Sequence, residues 1–310
     1  MSATMQTGIR RRIGRILQPG GRAVVLLYHR IANETCDPFG LCVTPKHFEE
    51  HLQVVRKLAT PIRLTDLAAA LRKRELPERA VAITFDGGYI DNLECAAPLL
   101  DRYEVPATAF VPTGAGGREH EYWWDELERI FLEPGEVPAI LGLQMNGRSY
   151  RWDFGLDRLY TREHQQRYQG WSLRHPETPT ARHRAFREIY DLLKSLPLAM
   201  RTRLMEGLAG WAGIDRRAVR QSRKTMQPEQ LKRIVDQGLM DVGAHTVNHA
   251  ALPVEPVDVR ATEVVRSKEM LEEVIGRSVN GFAYPFGLYD AEVVDAARRA
   301  GYGFACTSTY

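Results

Sequence analysis

An α/β fold of parallel strands alternating with helices is predicted by three features of the sequence. Short apolar runs such as Ala80-Val81-Ala82-Ile83 recur, and each reads as a buried strand. Between them lie segments with apolar residues at helical spacing, which makes βαβ units. Two polar motifs follow directly on strand runs: Thr84-Phe85-Asp86-Gly87-Gly88-Tyr89-Ile90-Asp91-Asn92, and Gly243-Ala244-His245-Thr246-Val247-Asn248-His249. A strand that stops at Asp-Gly-Gly delivers a carboxylate to the edge of a sheet, where α/β folds do their chemistry. Two histidines four apart, just past a strand, suit one metal ion.

The elements follow in order. Ala23–His29 is the first buried strand. Val43-Thr44-Pro45 opens a helix, with Thr44 as N-cap, Pro45 at the first position, and Phe48, Leu52 and Val55 on its core face. A second helix begins at Leu64. The strand ending at Asp86 is followed by a helix over about Leu93–Tyr103 and by the strand Val105–Val111. The rhythm then breaks from about Gly114 to Ser222. This stretch holds all five tryptophans and reads as helical after Thr180, so it is expected to be an inserted, mostly helical cap. The pattern returns at Thr225, with a helix through Val235 and a strand to His245. A long helix over Val257–Ile275 ends at Gly276. A strand over Phe282–Phe286, a helix over Asp290–Ala300 and a strand over Gly303–Cys306 complete the chain.

At 310 residues, 44% hydrophobic and 26% charged, the chain is long enough for one large domain or two small ones. A net charge of +3 gives no argument for a nucleic-acid partner. Cys36, Cys42, Cys95 and Cys306 form no Cys-x-x-Cys pair, which speaks against a zinc ribbon or a disulfide framework and for a reducing compartment. Residues 1–22 carry Arg10, Arg11, Arg12, Arg15 and Arg22 without a continuous apolar core, so no secretory signal is read. A cytoplasmic location is the expectation. Ile9, Ile13, Ile16 and Leu17 fall near helical spacing. One reading is a short amphipathic helix touching an anionic membrane; the other is a basic tail or a helix docked on the domain. The expected division is a basic segment 1–22 and a domain 23–310 interrupted at about 115–222.

Five stretches in consistent order carry a resemblance: Tyr28-His29-Arg30-Ile31, Val43-Thr44-Pro45 with Phe48, Asp86 in its motif, the His245/His249 pair, and Tyr284-Pro285-Phe286-Gly287. Over residues 23–112 and 225–308 the chain resembles the polysaccharide deacetylases, the NodB-type carbohydrate esterases of family 4. The similarity is to a branch found largely in exopolysaccharide and capsule pathways. It implies a distorted (β/α)7 barrel that hydrolyses an N-acetyl amide on a sugar or polysaccharide precursor. In that scheme Asp86 is the base, and His245 and His249 hold a divalent metal, zinc being the expected ion, whose bound water attacks. The Phe286 N–H stabilises the oxyanion. His29 lines the site as acid for the leaving amine, Asp91 braces the loop, and Thr246 supports the ligands. Tyr28, Tyr284, Pro285 and Trp124 are expected to contact an acetylated sugar or glycan.

Each residue also has a purely structural reading. Asp86 could cap a turn, the histidines could be satisfied core residues, and Trp123-Trp124-Asp125 could pack the insertion. The chain departs from its relatives at Gly87, where the third metal ligand is usually Asp, and at Ala283, where many have Arg. It ends at Tyr310, where many continue to a segment bearing a catalytic His. These departures motivate an alternative: a catalytically impaired relative that binds a glycan or a partner protein. An amide hydrolase acting on a non-sugar substrate would use the same residues. Gly87→Asp is expected to tighten metal binding about tenfold.

Overall fold

The computed structural model describes residues 23–115, 120–145 and 147–308. The basic segment 1–22, and the membrane contact weighed for it, lie outside the described residues.

Seven parallel strands form one curled sheet, a half-barrel wrapped by helices. They are β1 (Val24–Tyr28), β2 (Thr60–Pro61), β3 (Ala80–Asp86), β4 (Ala107–Val111), β5 (Met240–Ala244), β6 (Gly281–Ala283) and β7 (Phe304–Cys306). The order across the sheet is β1-β3-β4-β5-β6-β7, with β2 pairing the start of β3. This is the distorted (β/α)7 barrel expected from the sequence, and β1 and β7 are the two ends of the strand order. β3 and β4 are buried along nearly their whole length, as continuous apolar strands covered on both faces must be. β1 instead alternates, with Val25 and Leu27 on the more exposed side.

The helices are α1 (Pro45–Leu58), α2 (Leu64–Lys73), α3 (Ala97–Tyr103), α4 (Trp123–Leu132), α5 (Arg162–Tyr168), α6 (Ala181–Lys194), α7 (Leu198–Ala212), α8 (Pro228–Asp236), α9 (Val257–Ile275) and α10 (Ala291–Arg299). Local chemistry sets their ends. The Thr44 hydroxyl accepts the His47 N–H at the start of α1, and Gly276 closes α9 in the left-handed conformation. The helix expected over Leu93–Tyr103 is divided: Asn92–Ala96 is a π turn before α3. Pro98 has no N–H to give to Glu94, and the Ala97 N–H reaches back to Asn92 O instead.

Register places the site. Tyr28 pairs Phe85, Asp86 pairs Phe110, and Ala244 pairs both Val111 and Phe282. The carboxyl ends of β1, β3, β5 and β6 therefore meet at one edge. One hydrophobic cluster fills the space between sheet and helices around Phe48, Phe85, Val242 and Phe282. A second builds the stretch between β4 and β5 around Leu127, Phe131, Trp152, Phe186 and Leu208. That stretch also contains an antiparallel hairpin, Ile140–Met145 with Arg148–Asp153, which the reading of the sequence did not foresee.

The expected strand Phe282–Phe286 is shorter than predicted. β6 stops at Ala283, and Pro285–Gly287 forms a 3₁₀ turn with Phe286 at φ 57°. Pro285 cannot donate to the ladder, so the sheet ends there.

Candidate active site

Asp86 ends β3 and keeps part of its surface toward a cavity of about 230 Å³. Burial pushes its carboxyl up to about 7. His29, directly after β1, faces the same cavity, as do His245 and His249 beyond β5, with Trp124 and Phe286. Burial holds His29 and His245 down at about 4, and His249 well below the usual histidine range. All three imidazoles are therefore neutral near pH 7; beyond burial, His29 lowers His245, and both lower His249.

The His245 ring is fixed by a hydrogen bond of 2.7 Å between Nδ1 and Ala283 O. A carbonyl can only accept, so Nδ1 carries the proton and the lone pair is on Nε2. His249 lies 4.7 Å from His245, 4.6 Å from Trp124 and 4.7 Å from Phe286, ring centroid to centroid, and meets each edge-on. Its buried Nδ1 has no hydrogen-bond partner. Strain is concentrated here, because Thr246, His249 and Phe286 all have positive φ, at 64°, 52° and 57°.

Three supports hold this geometry. Asp91 accepts the Ile31 N–H and Arg30 Nε, both at 3.0 Å, which ties the Asp86 loop to the chain after β1. Glu263 on α9 accepts the N–H groups of Val247 at 2.9 Å and Asn248 at 2.7 Å, and the Asn248 side-chain amide at 2.7 Å. Thr246 Oγ1 accepts the Ala250 N–H at 3.2 Å. The third support comes from α4 and the residue before it. Tyr122 Oη donates to Gly87 O at 2.6 Å, Trp124 Nε1 donates to Tyr89 Oη at 2.8 Å, and Tyr89 Oη donates to Asp125 Oδ2 at 2.7 Å. Neither Glu263 nor the Tyr89–Asp125 pair was singled out from the sequence as a positioning group. A carboxylate next to Val264, beside the core-facing stripe of the long helix, was the available signal for the first.

Tyr28, Tyr284 and Pro285, expected to contact substrate, do not line the cavity. Strand alternation turns Tyr28 away: its ring packs on Phe48 and Phe85 and its hydroxyl pairs with His51 Nδ1 at 3.1 Å, while neighbouring Leu27 faces the cavity. Tyr284 packs on Phe282 and Tyr289, and Pro285 is buried as the first residue of the turn. Sequence reasoning missed the apolar lining from Leu27, Phe39, Leu41, Leu173 and Tyr190.

The donor chemistry suits a divalent ion in kind. Both imidazoles are neutral, His245 presents Nε2, and His249 has a buried nitrogen without a partner. The donor number is low. Catalytic zinc ordinarily takes three protein ligands, and among the described residues no group of three His, Cys, Asp or Glu side chains could hold a metal. Gly87 brings no side chain and sits at φ 101°, where a Cβ would lie 3.1 Å from the Tyr89 ring. His245 and His249 therefore offer two imidazole donors, one fewer than such a site ordinarily has. The third ligand expected from Gly87→Asp would have to overcome backbone strain.

The polysaccharide deacetylase family profile matches residues 73–138 and 184–305, more than half of the chain. The Bacillus subtilis (strain 168) protein YxkH, named for polysaccharide deacetylases, is 30% identical over 128 residues. Those are 40% of this chain and 44% of YxkH, so the match spans less than half of that relative. Among solved structures, the Streptococcus pyogenes deacetylase PplD in complex with acetate superposes with a TM-score of 0.55 at 20% identity, over 92% of this chain and 83% of that one. IcaB from Ammonifex degensii gives 0.54 at 18% identity, over 93% and 84%. At these identities the likeness is one of fold.

Proposed function

The chain belongs to the polysaccharide deacetylase family, and from that premise we propose that it hydrolyses an N-acyl amide on an amino sugar or a glycan precursor, acetyl being the expected group. The observation that carries this reading is the convergence in one cavity of Asp86, with its carboxyl near 7, and two neutral histidines. His245 and His249 would hold a divalent ion, zinc being expected; when bound, such an ion polarises the carbonyl and acidifies water.

Asp86 takes the proton of the attacking water. It then returns that proton to the amide nitrogen as the C–N bond breaks, leaving a carboxylic acid and an amine; the acid then gives its proton to the amine or to water. His29 was expected to supply the leaving-group proton. Held near 4, it carries no excess proton at neutral pH and serves better as a hydrogen-bonding neutral imidazole. The Phe286 N–H is the proposed oxyanion donor. Trp124, Leu173 and Tyr190 bring the stretch between β4 and β5 to the same cavity, and we assign residues 115–222 the role of a substrate-side cap. An exopolysaccharide or capsule precursor is the proposed context.

The test is acetate release from N-acetylglucosamine and its oligomers by the purified chain, with and without added Zn2+. Asp86→Asn should lower the rate by about 10²–10⁴-fold. A parent rate no higher than that of Asp86→Asn would overturn the assignment. Gly87 supports a second reading, in which the chain binds the glycan without turnover. Saturable binding of the oligomers by calorimetry, with no acetate released at any metal concentration, would select it.

A further inference from the structure

The cavity next to Asp86 has a largely apolar wall. Leu27, Phe39, Leu41, Leu173, Tyr190 and Phe286 line it from the chain around β1, the stretch between β4 and β5, and the turn after β6. None is fully covered by protein. Leu27 is 38% exposed, and Phe39, Leu173, Tyr190 and Phe286 are only partly buried against the second hydrophobic cluster. Among the described residues, beyond Asp86, the three histidines and Trp124, whose indole N–H is given to Tyr89, the polar side chains on the wall are Tyr190 and Ser308. A pyranose ring needs a partner for each hydroxyl it buries, and this wall provides few.

The apolar wall begins at the reacting groups, since Phe286 packs on His249 at 4.7 Å. The acyl carbon chain is one bond from the carbonyl carbon those groups serve, whereas the sugar hydroxyls are better satisfied toward water. We propose that this cavity is an acyl subsite, and that the preferred substrate carries an N-acyl group longer than acetyl. This rests on the N-deacylase reading given above and adds the identity of the acyl group.

The test compares N-acetyl-, N-butyryl- and N-hexanoyl-glucosamine by release of free amine. Burying one methylene corresponds to about a fourfold gain, so kcat/KM should rise about fourfold per added methylene until the cavity is filled. A flat or falling series from acetyl to butyryl overturns the proposal. So does a gain that comes from the octyl glycoside of N-acetylglucosamine and not from the longer acyl group.

A binding arm separates this proposal from the activity. Acetate, butyrate and hexanoate, the product carboxylates, are titrated into the same protein by calorimetry. Affinity should rise with chain length by a similar factor, and the rise should shrink in Leu173→Ser and Leu27→Ser, each checked for folding by circular dichroism. Chain-length-dependent binding without hydrolysis of any amide would refute the hydrolase reading and leave the acyl subsite standing. Hydrolysis with no chain-length dependence in either arm would do the reverse.

Discussion

At Gly87 two demands meet in one residue. A carboxylate there is the third metal ligand that the resemblance leads one to expect, yet the backbone turns at φ 101° and a Cβ would press on the Tyr89 ring at 3.1 and 3.3 Å. That ring cannot easily yield, because its hydroxyl is held by Asp125 and Trp124. Gly87→Asp is therefore expected to lose about 1–3 kcal/mol of stability, read from urea unfolding. A variant as stable as the parent that binds Zn2+ tenfold tighter would show the turn to be plastic. His245 is the counterpart: its tautomer is fixed by Ala283 O, so His245→Ala should weaken Zn2+ binding at least about tenfold, measured by calorimetry. Unchanged affinity would move the ion elsewhere. The convergence of Asp86, His245 and His249 on one cavity was legible because one strand run stops at Asp86 and another just before His245, with His249 four residues on. The strain at Gly87 was not, because φ depends on what packs against the turn.

Among the elements, α4 contributes most to the site without belonging to the sheet. The segment Tyr122-Trp123-Trp124-Asp125 reaches Gly87, Tyr89 and His249 at once. Its sequence announced an aromatic cluster and left open whether it packed the insertion or faced substrate. Trp123 packs on Tyr190, and Trp124 lines the cavity. Helix ends were legible from local chemistry at Thr44 and Gly276. The hairpin Ile140–Met145/Arg148–Asp153 was missed although Asn146-Gly147, a two-residue hairpin signal, stands between its strands, because those strands are largely exposed and sit in a stretch read as helical. Tyr89→Phe tests the coupling between α4 and the Asp86 loop. It removes one hydroxyl from between two buried groups, Asp125 and the Trp124 indole, and should cost about 1–3 kcal/mol. With Trp124 released against His249, KM should rise more than kcat falls, and tryptophan fluorescence should change. A stability loss with unaltered KM and emission would leave Tyr89 a purely structural residue.

For the whole molecule, pH dependence follows from two opposed sets of buried groups. Asp86 and Asp125 are pushed up to about 7 by burial, so their contribution to stability is present below the unfolded carboxylate value and is lost as pH rises through 7. His29, His183 and His245 are held near 4, so theirs is present above the unfolded imidazole value of 6.5 and is lost as pH falls toward 4. Between pH 4 and 7 the slopes have opposite sign and partly cancel. Removing one carboxyl unbalances them. Asp86→Asn no longer carries the penalty of ionising a buried acid, so its stability should rise more steeply with pH than that of the parent. The observable is the difference in Tm between pH 7 and pH 5, which should be larger in the variant, with the two proteins closest near pH 4. Equal differences would mean that Asp86 ionises freely in the folded protein. It would then be a base with an ordinary carboxylate pKa, and the acid limb of the rate would move from near 7 to near 4.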